Sequence, residues 1–310
     1  MPVPLSIAAV IGIGGYTGAL PITATQVADA AGLMLLGIVF GFFGWLYLSG
    51  GWTPDERKRL YMIGVLFLAA SIFWSLFEQA GSTLNLFARD NTRNSVFGAD
   101  FPSSWFQSMN SMFLILFAPV MAWVWVRLSA TGKEPSTPIK FAWGLVFAGL
   151  GFAILVPPGQ AEGQLASPLW LTTTYFLHTI GELLLSPVGL SAMTVLAPAR
   201  IGGLMMGVWF LATSVGNFIS GRVSGLYEAM ALPTLFGTVA AIAIVFGVLL
   251  MVLTPAMRSL LPARPAPGRG STRAASRRRN SRRPTPSYCS TIRRAGTTPS
   301  MRLAPTAMTN

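Results

Sequence analysis

Residues 169–197 read LWLTTTYFLHTIGELLLSPVGLSAMTVLA, an apolar run with one carboxylate, Glu182, near its middle. The run is longer than the roughly 20 residues that cross a hydrocarbon core of about 30 Å. A second apolar run, IFWSLFEQAGSTLNLF at 72–87, likewise carries one carboxylate, Glu78. A charge at the middle of a bilayer costs at least about 2.5–3.5 kcal/mol on insertion scales. A membrane helix keeps such a residue where it faces a bundle interior or a wet pathway. Both carboxylates therefore point first to a substrate or proton route.

The rest of the chain agrees with a membrane setting. It is 52% hydrophobic and 10% charged, and its mean hydropathy is +0.57. Seven apolar stretches are expected to span, near 31–49, 60–84, 105–127, 140–156, 169–197, 203–226 and 233–257. An eighth, 3–20, is apolar but rich in Gly and Pro; it reads as the end of a cut helix or a re-entrant turn. It has no basic start and no small-residue cleavage site, so it is not read as a signal peptide.

Net charge is +12, but all ten acidic residues precede residue 230. Twelve basic residues and no acid lie from Arg258 onward. Residues 262–310 are mostly Arg, Ser, Thr, Pro and Ala; they cannot build a core and are expected to be disordered. The single cysteine, Cys289, lies there, which leaves no disulfide within one chain. Loop charges set an orientation. Arg57, Lys58, Arg59, Arg127, Lys133, Lys140 and Arg200 fall on alternate loops, which the positive-inside rule places in the cytoplasm together with the C-terminus.

Local signals mark the helices. Thr53 is expected to cap the second span, with Pro54 at its first position and Asp55 and Glu56 in its first turn. Residues 20–30 read as a polar lead. Pro119 and the Ser186-Pro187-Val188-Gly189 step are expected to kink or interrupt their spans. Gly37/Gly41, Gly203/Gly207 and Gly221/Gly225 are spaced to permit close helix contact.

On the second span, Trp74, Phe77, Glu78, Ser82 and Asn85 have helical spacing and are expected to share a face. On the fifth, His178, Glu182 and Ser186 do so. Burial disfavours the charged form of a carboxylate, so one such group can exchange a proton or pair with a substrate ammonium. His178 is the only histidine, and one histidine beside one glutamate is not a metal site, which needs three or four ligands. There is no HExxH, no GxSxG and no acid pair of hydrolase spacing, so an enzyme is not expected.

Four stretches also carry a resemblance: FWSLFEQAGSTLNLFARDNT (73–92), SSWFQSMNSMFLILFAPVMAWVW (103–125), HTIGELLLSPVGLSAMTVLAPAR (178–200) and GLMMGVWFLATSVGNFISG (203–221). They resemble consecutive helices of the proton-dependent oligopeptide transporters, within the major facilitator superfamily. The similarity runs from about residue 20 to residue 257 and covers only the C-terminal half of such a transporter. It implies an all-α membrane protein, a six-helix bundle at 50–261 preceded by one extra transmembrane helix at 31–49. Residues 1–30 would be part of the hairpin between the halves. It implies proton-coupled transport of di- and tripeptides at the cell's inner membrane, with H+ as the coupling ion and no cofactor. Glu182 would receive the peptide's amino terminus, with Ser186 one turn on. Asn110 would hydrogen-bond the peptide, and Trp74, Phe77 and Trp209 would wall side-chain pockets. Glu78 would serve gating and proton coupling.

The family's ExxERFxYY motif, which its N-terminal half carries, has no match here. Expected partners are therefore the peptide, membrane lipid and a separate N-terminal half, with no nucleic acid. Two other readings stay open. One is a non-transporting fragment of a split or frameshifted gene, because the arginine-rich, lysine-free tail resembles a shifted frame in GC-rich DNA. The other is a membrane-tethered binder of anionic lipid or nucleic acid through that tail.

Overall fold

The computed structural model describes residues 23–257, except 97, 161 and 162. The stretch 3–20 and the tail 262–310 lie outside these residues. Among those described, seven helices are long and apolar enough to cross a membrane, one for each expected span.

The first helix, α1 (Ala24–Leu48), starts earlier than expected. Thr23 and Gln26 form a reciprocal capping box that satisfies its first backbone donors, so most of the polar lead is helical. The boundary expected at 30/31 thus falls inside α1. Helix α2 (Pro54–Phe77) begins as its sequence predicts. Thr53 and Glu56 form a second capping box, and Pro54 occupies the first turn. Such a cap contributes about 1 kcal/mol.

The second span is interrupted, and no proline causes it. Residues Glu78–Gly81 form a 3-10 turn, and Ser82 leaves helical geometry at φ −126°, ψ −95°. Helix α3 (Thr83–Asp90) then completes the span. Gly81 and the hydroxyl residues Ser82 and Thr83 are poor helix formers, which favours the break here. The single helical face expected through Trp74, Phe77, Glu78, Ser82 and Asn85 therefore ends at Phe77.

Helices α4 (Trp105–Ala130), α5 (Thr137–Ala153), α6 (Val156–Gly159), α7 (Pro168–Leu196), α8 (Met205–Ser224) and α9 (Leu232–Met257) follow. A two-residue hairpin, β1 (Ser95–Val96) with β2 (Ala99–Asp100), lies in the loop before α4. The interruption expected at Ser186–Gly189 is not seen, and α7 runs through Pro187 without a break. Proline removes only one donor, and packing grips α7 on both sides of it. Leu185 meets Gly144 of α5, and Gly189 lies beneath the ring of Trp209. Pro119 likewise sits inside an unbroken α4.

Helix α5 is central, packing on α9, α7 and α2, while α8 packs along α2 and α4 leans on α7. The most apolar stretch of α4 has no buried residue. Helix α1 rests on α8 and α2. Gly32 of α1 faces the Phe218 ring, and Asp29 pairs with Arg222 of α8.

The glycines expected at helix contacts are not the ones used. A Cβ on Gly37, Gly41, Gly203, Gly207 or Gly221 would meet nothing within 4 Å. Close approach instead occurs at Gly144 and Gly181. A Cβ on either would lie 2.8–3.0 Å from the other's carbonyl oxygen, so α5 and α7 touch backbone to backbone.

At one end of the bundle the loops are tied together. Ala166 N–H donates to Asn91 O at 2.7 Å, and Arg93 N–H donates to Ala166 O at 2.9 Å. Tyr227 OH donates to Asn91 Oδ1 at 2.8 Å. Burial, and then the Asp90 carboxylate, push the Tyr227 phenol above its ordinary pKa.

Candidate functional site

Glu182 sits one residue beyond the Gly144–Gly181 contact, so the closest point between α5 and α7 sets its height in the bundle. Its Oε2 accepts from Asn110 Nδ2 of α4 at 3.2 Å. The same amide nitrogen donates to Thr179 Oγ1 at 3.0 Å, and Thr179 Oγ1–H donates to Tyr175 O at 2.8 Å. Thr179 is fully buried, whereas Asn110 and Glu182 are half-buried. The amide thus bridges α4 and α7 and holds the carboxylate partly open. Hydrogen bonds to an ionised acceptor are stronger than neutral ones.

Glu78 also is half-buried and lies within electrostatic reach of Glu182. It occupies the first position of the 3-10 turn, which re-aims the chain as α2 ends. The turn is anchored from α7, because Tyr175 OH donates to Ala80 O at 3.2 Å. Gln79, 1% exposed, donates from Nε2 back to Ser75 O at 3.1 Å. A mid-helix 3-10 segment often marks a hinge.

The aromatics divide into two groups. Phe73, Trp74 and Phe77 form one cluster, with centroids 5.3–5.7 Å apart. Phe73 is buried against Gly181, whereas Trp74 and Phe77 are half-buried. These two keep part of their surface open. Trp209 is different. It is 6% exposed, and its ring covers Gly189 of α7. Its observed contacts are packing contacts. Ser186 is half-buried one turn beyond Glu182, and its Oγ is enclosed.

His178 faces away from this constellation into the α5–α7 seam. Its Nε2 lies 3.1 Å from Ala148 O, and since a carbonyl only accepts, Nε2 carries the proton. The ring sits over Gly151, where a Cβ would come within 2.5 Å, and 5.2 Å from the Phe152 ring. Among the described residues no cluster of three or more metal-ligating side chains exists.

The structure therefore brings together Asn110, Glu182 and, nearby, Glu78, with Trp74 and Phe77 on the Glu78 side. Thr179 and Tyr175 were missed from the sequence. They precede Glu182 by three and seven residues, on the helical face that carries it.

The chain has relatives. The sequence model of the POT family (PTR2) matches residues 32–242. The peptide transporter YePEPT of Yersinia enterocolitica is 39% identical over 249 residues, 78% of this chain and 49% of that protein. The uncharacterised transporter YclF of Bacillus subtilis is 38% identical over 255 residues, 82% of this chain and 51% of that protein. A di-/tripeptide transporter of Lactococcus lactis subsp. cremoris is 33% identical over 237 residues, covering 74% of this chain and 47% of that one. The crystal structure of a peptide transporter POT in complex with sulfate superposes with a TM-score of 0.74 at 34% identity. That match covers 85% of this chain and 55% of the other. A POT family transporter in complex with 5-aminolevulinic acid also gives 0.74, at 29% identity, covering 83% and 53%. The chain spans about half the length of the curated relatives it matches. With seven helices long and apolar enough to span, a family match over residues 32–242 and a fold shared with a solved transporter of the family, the chain is a multi-pass membrane protein of the major-facilitator type and belongs to the POT family.

Proposed function

We propose that this bundle forms the C-terminal wall of a site for proton-coupled di- and tripeptide uptake across the cell's inner membrane. A second six-helix half would face it and complete the pathway. The observation that carries the reading is the Asn110–Glu182 bridge between α4 and α7, with Glu78 within electrostatic reach. An ionised Glu182 is a counter-charge for a peptide ammonium, and the Asn110 amide oxygen, its two N–H donors being held by Thr179 and Glu182, offers an acceptor to the peptide unit beside it. Ser186 lies one turn on, and its enclosed hydroxyl would reach the peptide once the site opens. Trp74 and Phe77 wall a side-chain pocket, and Trp209 supports α7 from behind. Glu78, on the 3-10 turn, exchanges the coupling proton as the turn changes conformation. Two of the relatives carry peptide transport in their names, which supports the substrate class. The basic loops support a cytoplasmic C-terminal end under the positive-inside rule.

The test pairs this chain with the N-terminal half of the Yersinia transporter in proteoliposomes. A pH gradient should drive dipeptide accumulation by the pair. Glu78→Gln should abolish accumulation against the gradient while leaving exchange, because glutamine imitates a carboxyl locked in its protonated form. Accumulation by Glu78→Gln equal to the parent pair would remove Glu78 from the coupling role.

A further inference from the structure

A second site lies at the turn between α1 and α2, at the opposite end of α2 from Glu78. A cleft of about 360 Å³ is lined there by Trp52, Pro54, Arg57, Lys58 and Tyr61. We propose that it binds the headgroup of an anionic phospholipid.

The cleft has a fixed aromatic floor. The Trp52 indole N–H donates to Leu46 O at 2.9 Å and to Ser49 Oγ at 3.1 Å, which locks the ring. The Arg200 guanidinium stacks over that ring, 3.3 Å from its centroid, and adds a third cation from the turn before α8. Arg57 and Lys58 are exposed at the mouth. The nearby acids, Asp55 and Glu56, offset these cations only in part, Glu56 lying within electrostatic reach of Arg200 and Arg59. Glu56 is engaged by Thr53, accepting from its N–H at 2.8 Å and its hydroxyl at 2.9 Å. Asp55 pairs with Lys58 at 3.7 Å, and the two side chains are 83% and 48% exposed. So open a pair is worth little and yields readily to a better anion. A phosphate diester suits the set, because a guanidinium fork and an ammonium bind its oxygens by charge-assisted hydrogen bonds.

Inorganic phosphate or a phosphorylated metabolite shares that chemistry, but position favours the lipid. Leu48 ends one span and Pro54 begins the next, so the cleft opens at the level of the headgroups. Tyr47 and Tyr61 stack 5.4 Å apart beside it. Tyr and Trp concentrate at that depth of a bilayer. From Tyr61, 51% exposed, the same face of α2 leads two turns into the membrane to Leu68, 49% exposed. An acyl chain anchored by its phosphate in the cleft would lie along this track.

Native mass spectrometry of the full-length purified chain tests the assignment. Phosphatidylglycerol, phosphatidylcholine and free glycerol 3-phosphate are added separately at equal concentration. The parent should retain phosphatidylglycerol about tenfold over phosphatidylcholine, and free glycerol 3-phosphate should not displace it. Arg57→Gln/Lys58→Gln should weaken retention about 10- to 30-fold, the expected effect of two surface cations. Arg127→Gln/Lys133→Gln removes the same charge from the end of α4 and the loop after it, leaves the arginine-rich tail intact, and should change nothing. Equal retention of the two lipids, equal behaviour of the two variants, or displacement by free glycerol 3-phosphate would overturn the lipid site.

Discussion

Asn110 Nδ2 lies 3.2 Å from Glu182 Oε2, a hydrogen bond between residues 72 apart in sequence that joins α4 to α7. Helix α4 is otherwise the least buried spanning helix of the bundle. The bond therefore does two things. It aims the carboxylate, and it makes the position of α4 depend on the charge state and occupancy of Glu182.

Asn110→Ala should consequently raise the KM for dipeptide in the paired transporter about tenfold or more. A hydrogen bond to a charged group contributes about 1.5–3 kcal/mol. Asn110→Asp should be worse, because it sets a second carboxylate against the first. Uptake at graded dipeptide concentrations gives the answer; an unchanged KM in Asn110→Ala would show that the bond does not aim Glu182 at substrate.

The close helix contacts make a prediction about stability. A methyl at Gly216 would stand 2.5 Å from Trp74 Cβ and 2.9 Å from the Ser75 backbone nitrogen. Gly216→Ala should cost about 1–3 kcal/mol and lower the thermal midpoint in detergent. At Gly221 nothing lies within 4 Å, so Gly221→Ala should hold or raise the midpoint. Equal midpoints for the two variants would contradict the packing of α8 on α2.

Much of this was legible in the chain. Span number, the helix cap at Thr53 and both membrane carboxylates follow from local chemistry, which periodicity and composition report directly. Three features were not legible, each for a physical reason. The break in the second span falls at Glu78–Ser82 rather than at a proline, because its geometry is held by a tertiary bond from Tyr175 to Ala80. The glycines that matter are those facing a neighbour, and four-residue spacing alone cannot say which face that is. Trp209 is indistinguishable from a pocket wall in sequence, and only its contact with Gly189 places it in the core.

Orientation can be read by labelling. In a Cys289→Ser background, a cysteine at Gln164 should react with an impermeant thiol reagent in intact cells. A cysteine at Lys133 should react only after the membrane is opened. The loops containing them join opposite ends of consecutive spans, α4–α5 and α5–α7. The reverse pattern would invert the orientation and place the basic loops outside.

The most direct measurement is proton-driven dipeptide accumulation by the paired halves with Glu182 intact or replaced. The account predicts that the parent pair accumulates dipeptide and that Glu182→Ala abolishes accumulation and exchange alike, because the peptide ammonium loses its counter-charge. Accumulation by the Glu182→Ala pair at the parent rate would contradict it.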